Sequence, residues 1–233
     1  MREVRRVMID TLLSSPFFGL VLTCAAWCAG CWLQKRTGFF LLNPLVVAVA
    51  LILAVLVALD IPYEAYDLGG SMITLMLGPV TAVLALNVYH QRTLLKEYFW
   101  PVLAGCLAGT LTSVGSILLL CRLMSVSPQI SASLLPKSVT TAIAVAISDA
   151  GGGIRSITVA AVLIAGVVGA VFAPLFARLF RVSDPVAEGV AIGACSHALG
   201  TTKALEIGQL QGAMSSISIC ICGIMTSLFA LFL

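Results

Sequence analysis

The sequence carries very little charge. Only 10% of its 233 residues are Asp, Glu, Lys or Arg, whereas 60% are hydrophobic. Soluble domains contain about 25% charged residues, so this composition excludes a soluble protein. Apolar stretches of about 20 residues recur along the whole chain, and each is long enough to cross about 30 Å of hydrocarbon. We therefore expect an all-α integral membrane protein.

The signatures of metal, phosphate and catalytic chemistry are also missing. The eight cysteines follow no zinc-type or CxxC…CxxC pattern, and those at 24, 28 and 31 are typical of small polarizable hydrophobes on one helical face. The glycines at 151–153 lack the lysine spacing of a phosphate loop. Adjacent Ser196 and His197 do not form a hydrolase triad by spacing alone. We expect no metal site, no cofactor and no enzyme activity.

Eight apolar segments form a single membrane domain, 1–233, which starts with a short basic segment, 1–15. We expect an uncleaved first helix. The third, fifth and seventh segments are interrupted near their middles by LGP, LPKS and SHALGTTK. A broken helix is tolerated in hydrocarbon only where protein or a water-lined cavity satisfies the freed backbone groups. The segments are 16–33, 39–59, 68–89, 99–121, 130–148, 156–177, 186–205 and 212–233.

The distribution of basic residues limits the topology. They stand at segment ends, which indicates orientation in the membrane and not nucleic-acid binding. Eight full spans with the N-terminus outside would place Lys35 and Lys96 inside, but Arg178 and Arg181 outside. A re-entrant segment would return both arginines to the inside. We therefore expect seven or eight membrane segments, with at least one re-entrant or unwound.

Two of the interruptions resemble each other. The residues after Pro79, VTAVLAL, are similar to VTTAIAV shortly after Pro136. Weak internal symmetry around interrupted apolar segments is the best sequence pointer to the binding site of a secondary transporter. The similarity indicates an internal structural repeat, although chance similarity between two apolar stretches is the competing explanation.

Lys137 is the most informative residue. A lysine at membrane depth costs about 2.5–3.5 kcal/mol, so it normally faces a polar cavity. Proline suits the first turn of a helix, so a helix starting at Pro136 would direct its free N–H groups and the positive end of its dipole towards one place. We expect an anion site there. In the alternative interpretation, Lys137 reaches the membrane interface or pairs with Asp149.

A second polar cluster lies in the seventh segment. Gly200 permits close approach or unwinding, and Lys203 and Glu206 are spaced to pair on a helix. In the alternative interpretation these groups satisfy one another between helices. The candidates for a coupling proton are Asp149, His197 and Glu206. The candidate substrate-binding residues of both clusters are Pro79, Thr81, Lys137, Ser138, Thr140, Thr141, Ser196, His197, Thr201 and Thr202.

Five stretches together resemble the LrgB/CidB/YohK family of bacterial inner-membrane proteins, which includes the membrane domain of the plastidal glycolate/glycerate translocator. The stretches are LNPLVVA, LGPVTAVLALNVY, LLPKSVTTAIAVAIS, SHALGTTKALEIG and QGAMSSISI. The sequence departs from the family pattern at Ala142, where proline is usual, and at Thr202, where alanine is common. The resemblance implies multi-pass insertion in the bacterial cytoplasmic (inner) membrane.

The resemblance implies two functions. Some family members look like transporters of short monocarboxylates such as glycolate, glycerate and pyruvate, and others were named antiholin-like or holin-like regulators of murein hydrolases. We expect a transporter of small organic anions, possibly coupled to protons, because a passive hole needs no lysine in a broken membrane helix. The alternative is a regulator of lysis. Expected partners are membrane lipid, a small LrgA/CidA-type membrane protein and a second copy in a dimer.

Overall fold

The computed structural model describes residues 15–38, 42 and 44–232, without the side chains at 77, 80, 81, 84, 85 and 87. In this part of the chain all regular structure is α-helical. The helices are α1 (Pro16–Thr37), α2 (Pro44–Ala58), α3 (Tyr63–Thr74), α4 (Leu77–His90), α5 (Arg92–Glu97), α6 (Phe99–Leu123), α7 (Pro128–Leu134), α8 (Thr141–Ala150), α9 (Arg155–Leu179), α10 (Pro185–Ile207) and α11 (Gln209–Ala230).

Several helix starts follow directly from local sequence. Asp184 caps α10, since its Oδ1 accepts the N–H groups of Val186 at 2.7 Å and Ala187 at 3.1 Å. Pro185 then occupies the first helical position, where the missing N–H of proline is not needed. The same arrangement begins α1, where Ser15 accepts from the next turn and proline follows. These caps fix the first residues of both helices.

Four of the described helices are long and apolar enough to cross a membrane: α1, α6, α9 and α11. Helix α2 is apolar but has only 15 residues. The predicted all-α membrane class is therefore confirmed, and the chain is a multi-pass membrane protein. The predicted third, fifth and seventh segments are not continuous helices: the third is split between α3 and α4, the fifth between α7 and α8, and the seventh is kinked inside α10.

The chain divides into two compact units, Met1–Val80 and Thr81–Leu233. In the first unit, α1 packs on α2 and α3. Backbone approach between α1 and α3 is close, because a Cβ on Gly19 would lie 3.1 Å from Gly69 Cα. Beside this contact, the hydroxyls of Thr23 and Tyr66 lie 2.9 Å apart. The candidate site described below belongs to the second unit.

In the second unit, α7 and α8 form a hairpin. The N–H of Ile154, just after α8, donates to Ser133 Oγ near the end of α7 at 2.6 Å. If the two helices ran in one direction, these groups would be separated by all 10 residues of α8, about 15 Å. The chain therefore turns back at residues 135–140. We call α7, this tip and α8 the first hairpin.

Helix α10 also turns back, at His197, where φ is 41° and ψ is −138°. A Cβ on Gly200 would lie 3.1 Å from the carbonyl oxygen of Ile192, whereas eight residues of continuous helix span about 12 Å. The two ends of α10 are also together, because Glu188 and Ile207 line one cavity. We call its arms, 185–196 and 198–207, the second hairpin.

The two hairpins approach the middle of α6 from opposite ends. The first hairpin follows the C-terminal end of α6 through a short loop. The first arm of the second hairpin runs parallel to α6, with Gly105 against Val190 and Gly109 against Ala194. Because Tyr98 and Asp184 line one cavity, this arm starts at the N-terminal end of α6.

The predicted helix start at Pro136 is wrong, because α8 begins at Thr141. Turns occupy the tip instead: the N–H of Val139 donates to the Pro136 carbonyl at 3.3 Å. Thr140 is extended, with φ −62° and ψ 148°. Two consecutive β-branched residues, Val139 and Thr140, disfavour helix here. The break is therefore longer than the sequence indicated.

The third segment is not interrupted at Pro79 itself. Helix α4 begins at Leu77 and continues through Pro79. Proline is tolerated in the first turn, because N–H groups there have no intrahelical partner. The break in the third segment therefore lies between Thr74, where α3 ends, and Leu77.

Candidate functional site

The ammonium group of Lys137 lies at the tip of the first hairpin, bonded to two hydroxyls. Its Nζ donates to Ser113 Oγ at 3.1 Å and to Ser138 Oγ at 3.2 Å, and these hydroxyls are 2.8 Å apart. Ser113 lies two residues past Leu111, the midpoint of the 25-residue α6, or about 3 Å along the axis. The ammonium therefore sits near the centre of a helix long enough to cross a membrane.

No carboxylate in the described part of the chain pairs with Lys137. The ion pairs found there are Asp149–Arg155 at 2.5 Å and Lys203–Glu206 at 2.8 Å. The alternative pairing of Lys137 with Asp149 is therefore wrong, because Asp149 lies near the end of α8, away from the hairpin tip, and contacts Arg155 at the start of α9. The predicted Lys203–Glu206 pair is confirmed.

Lys137 lines a cleft of 810 Å³ between α6, the first hairpin, α9 and α10, which we call the Lys137 cleft. One part of its wall is polar, since hydroxyls from α6 and the tip accompany the ammonium. Most of the remaining wall is apolar or formed by small residues. An apolar pocket with a few convergent polar groups is typical of small-molecule sites. The hydroxyl residues are Thr112, Ser113, Ser116 and Ser138.

His197 fixes the tip of the second hairpin against α9. Its buried Nε2 donates to the carbonyl oxygen of Val162 at 2.9 Å. Gly166 and Gly169 provide the space, because a Cβ on Gly166 would overlap the His197 ring and one on Gly169 would overlap the Ser196 side chain. Ser196 and His197 are therefore buried between α9 and α10 and do not line the Lys137 cleft.

The remaining hydroxyls of the second cluster satisfy local partners. Thr201 is buried, and its Oγ1 lies 2.7 Å from Ser215 Oγ on α11. Thr202 is exposed and donates to the carbonyl of Ala198, one turn earlier, at 3.3 Å. Here the geometry favours the alternative interpretation, in which these groups satisfy one another between helices.

Of the candidate binding residues, Lys137 and Ser138 line the cleft. Thr140 and Thr141 are half-buried at the start of α8 and do not line it. Pro79 is exposed and belongs to the first unit. The side chain of Thr81 lies outside the described residues. The three proton-carrier candidates also do not line the cleft: Asp149 and Glu206 are exposed and ion-paired, and His197 is buried.

The α6 side of the cleft was not predicted from the sequence. Ser113 contacts the ammonium directly, and Thr112 and Ser116 lie beside it. The available signal was the hydroxyl-rich stretch TLTSVGS in the middle of an otherwise apolar segment. Cys195, on the first arm of the second hairpin, also lines the cleft. Nothing in its local sequence indicated this.

Comparison with known proteins gives a consistent family assignment. The LrgB-like family matches residues 23–233. The chain is 39% identical to the antiholin-like protein LrgB of Bacillus subtilis (strain 168), over 92% of this chain and 93% of that protein. It is 37% identical to the antiholin-like proteins LrgB of Bacillus mycoides (strain KBAB4) and Bacillus cereus (strain B4264), over 91% of this chain and 93% of each. No solved structure matches. The chain belongs to the LrgB-like family.

Proposed function

We propose that this protein is a secondary transporter of small monocarboxylates of the glycolate, glycerate and pyruvate type. The observation that carries the proposal is the ammonium of Lys137, held in a cleft by neutral hydroxyls with no described carboxylate beside it. A carboxylate entering the cleft would complete a charge-assisted hydrogen bond with it. Ser113 and Ser138 would donate to the second carboxylate oxygen.

The path of the chain supports transport. Two hairpins approach the middle of α6 from opposite ends, and residues near both tips, Ser138 and Cys195, line the Lys137 cleft. We propose that α6 with the first hairpin and α9 with the second hairpin are two copies of one inverted repeat. Secondary transporters commonly bind substrate near the bilayer midplane, between such repeats and beside broken helices. This repeat differs from the one suggested by the residues after Pro79.

Helix α8 supports anion binding at the same place. It begins at Thr141, four residues after Lys137. The positive end of its dipole therefore lies at the hairpin tip, where negative charge is favoured. Lys137 adds a full positive charge at the same tip, and both contributions favour a carboxylate there.

We further propose coupling to protons. Of the three candidate carriers, His197 is nearest to the cleft. Its ring packs on Gly166, and the adjoining Ser196 packs on Gly169, which lines the cleft. Protonation of this buried ring would add a positive charge behind the cleft wall. Asp149 and Glu206 each bond a cation on their own side of the unit.

The test is uptake of labelled glycolate and pyruvate into proteoliposomes, with and without an imposed pH gradient. Lys137→Met keeps an unbranched apolar stem and removes the charge. Because a hydrogen bond to a charged group contributes about 1.5–3 kcal/mol, we expect saturable uptake to fall at least about tenfold. Lys96→Met, on the exposed face of α5, is the matched control and should keep wild-type uptake. Equal uptake by Lys137→Met and wild type would contradict the site.

The relatives are named antiholin-like, which favours a second candidate function, the regulation of murein hydrolases and lysis that the family resemblance implies. In this case the protein would act with a small LrgA/CidA-type membrane partner. It would show no saturable uptake of any short monocarboxylate, and Lys137→Met would not alter a lysis phenotype that depends on the partner. Measuring both uptake and lysis in the same variants separates the two functions.

A further inference from the structure

We infer that the cavity at the open end of the second hairpin binds the headgroup of phosphatidylethanolamine. The cavity encloses 530 Å³ between the end of α9, the loop after it and both ends of α10. Its lining combines two cations with one carboxylate: Arg178, Arg181 and Glu188. The inference does not depend on the proposed transport function, because this cavity shares no lining residue with the Lys137 cleft.

The position of the cavity along α9 indicates a lipid headgroup. Helix α9 has 25 residues and is therefore about 38 Å long, whereas the hydrocarbon of a bilayer is about 30 Å thick. Because both ends of the helix carry an arginine, Arg155 and Arg178, each end lies at the level of the lipid headgroups. Pro174 lines the same cavity one turn before Arg178, so the cavity extends from this level towards the hydrocarbon.

The two arginines provide a site for the lipid phosphate. Both are exposed, and neither belongs to an ion pair in the described part of the chain. Arg181 has a φ of 54°, in a region that residues other than glycine seldom adopt. Glycine would end α9 there without strain, so the turn itself does not account for an arginine. Guanidinium groups bind phosphate through two parallel N–H donors.

Glu188 provides a site for an ammonium group. It is half-buried, and Gln211 of α11 donates to its Oε2 at 3.2 Å. Within the described residues, no cation pairs with this carboxylate. Arg178 at the end of α9 and Glu188 in the first turn of α10 each suit the local helix dipole. The dipoles do not explain why opposite charges line one cavity without pairing, and a zwitterionic ligand would bind both.

Phosphatidylethanolamine carries both groups that this lining requires. Its phosphate would accept hydrogen bonds from the two arginines, and its primary ammonium would donate to the Glu188 carboxylate. Phosphatidylcholine has the same phosphate, but its quaternary ammonium has no N–H to donate. Phosphatidylglycerol has neutral hydroxyls in place of the ammonium, so the half-buried carboxylate would remain without a cation, which is unfavourable.

A lipid in this cavity would hold the open end of the second hairpin against α9. Arg178 lies on α9, whereas Glu188 and Ile207 lie at the two ends of α10. The closed end of the same hairpin is already held, because His197 bonds to the carbonyl of Val162 on α9 at 2.9 Å. The headgroup would therefore complete the attachment of this hairpin to α9.

The test is native mass spectrometry of the delipidated full-length protein in detergent. The protein is titrated with an equimolar mixture of the dioleoyl forms of phosphatidylethanolamine, phosphatidylcholine and phosphatidylglycerol, which differ in mass. Because a hydrogen bond between charged groups is among the strong ones, we expect the first phosphatidylethanolamine to bind at least about tenfold more tightly than either of the other lipids.

Three variants assign the charges. Arg178→Gln combined with Arg181→Gln removes the phosphate contacts, so the affinity for all three lipids should fall at least about tenfold. Glu188→Gln keeps the shape of the side chain and an acceptor for Gln211, and it should remove the preference for phosphatidylethanolamine without weakening phosphatidylglycerol. Arg122→Gln is the matched control, since Arg122 is exposed in the last turn of α6 and does not line the cavity. It should bind lipid as the wild type does.

Three results would overturn the inference. If phosphatidylglycerol binds as tightly as phosphatidylethanolamine, the arginines form a general anion site and Glu188 selects nothing. If the double arginine variant binds phosphatidylethanolamine as the wild type does, the lipid lies elsewhere. Glycerophosphoethanolamine, the deacylated headgroup, distinguishes the source of the ligand. If it displaces phosphatidylethanolamine at equal concentration, the ligand is a soluble zwitterion and not a lipid.

Discussion

At the scale of single residues, His197 is one of three described residues of the second unit, other than glycine, that have a positive φ, and it is the one inside a helix. Its φ of 41° lies in the region that favours glycine, and such conformations cost about 1–3 kcal/mol each unless the surroundings impose them. Here the surroundings do, because the ring is buried and bonded to the Val162 carbonyl. The buried contact of the His197 ring with α9 therefore offsets the strain of its backbone and holds the second hairpin against α9.

Two substitutions of His197 test this conformation. Both His197→Gly and His197→Ala remove the bond to Val162, but only glycine accepts the backbone without strain. We expect the free energy of unfolding of the glycine variant to be about 1–3 kcal/mol higher than that of the alanine variant. In a regular helix the order is reversed, since glycine costs about 1 kcal/mol relative to alanine. Thermal or denaturant unfolding in detergent measures the difference.

The control for this prediction lies on the first arm of the same helix. Ala191 is exposed and has regular helical geometry. Ala191→Gly should therefore destabilise the protein by about 1 kcal/mol. If His197→Ala proves more stable than His197→Gly, residue 197 is helical in the folded protein, and α10 does not turn back there.

Among the site residues, the sequence singled out Lys137 but not its partner. A lone lysine beside a proline in an apolar segment is visible locally, because its desolvation cost is a property of the residue itself. Ser113, which accepts from the ammonium, is 24 residues away. Its role depends on how far the first hairpin reaches along α6, and no local pattern specifies that distance.

At the scale of elements, the second hairpin depends on close backbone contact with α11. A Cβ on Gly193 would lie 2.9 Å from Ser215 Cα, and even closer to the carbonyl oxygen of Ser215. Gly189 makes the same kind of contact with Gln211, at 2.9 Å from its Cα. Small residues that allow such approach are enriched where membrane helices pack.

Alanine at Gly193 tests this packing. Because the obstructing atoms belong to the backbone of α11, no side-chain rotation relieves the clash. We expect Gly193→Ala to lower the free energy of unfolding by about 1–3 kcal/mol. Gly115→Ala on α6 is the matched control, since nothing lies within 4 Å of its Cβ position, and it should stabilise by about 0.5–1 kcal/mol. Equal effects of the two substitutions would argue against the contact.

The sequence located the helix breaks better than their extent. Pro136 and Gly200 mark the two hairpins, because both residues disturb a helix locally. The restart of α8 at Thr141 was missed, since it is decided by the turns between residues 135 and 140. The reversal at His197 was missed as well, because histidine has no local preference for its backbone conformation.

At the scale of the whole molecule, the two hairpins alter the expected orientation of the second unit. Both outer ends of the first hairpin lie at the C-terminal end of α6. Helix α9 therefore runs back antiparallel to α6, and its C-terminal arginines lie at the end where α6 starts. Arg178 and Arg181 then share a side with Arg92 and Lys96, as the excess of basic residues in cytoplasmic loops requires. The sequence alone was compatible with this arrangement and with eight full spans.

Single cysteines labelled with a membrane-impermeant thiol reagent test this topology. Ser127→Cys and Ala150→Cys stand at the two outer ends of the first hairpin, and Ser183→Cys stands beyond α9; all three positions are exposed. We expect the first two to be labelled from one side of the membrane and the third from the other, relative to the parent protein. Labelling at 127 and 150 from opposite sides would mean that α7 and α8 form a span.

The sequence by itself determined the class of the protein. Apolar composition and runs of about 20 residues predict helices that cross a membrane, because a continuous helix bonds its backbone groups within its own segment. The position of Lys137 beside Pro136 in a broken segment was likewise a local property. The sequence thus determined which segments must lie in the membrane and where a break or a charge requires polar partners.

Only the tertiary structure decided the direction of the chain after each break. Whether α8 continues α7 or returns beside it depends on contacts such as Ile154 with Ser133, which join residues that are distant along the chain. The same contacts decide that Lys137 meets Ser113 at the middle of α6 and faces α9. A cleft is a relation between elements, so its shape and its lining follow from packing and not from any one segment.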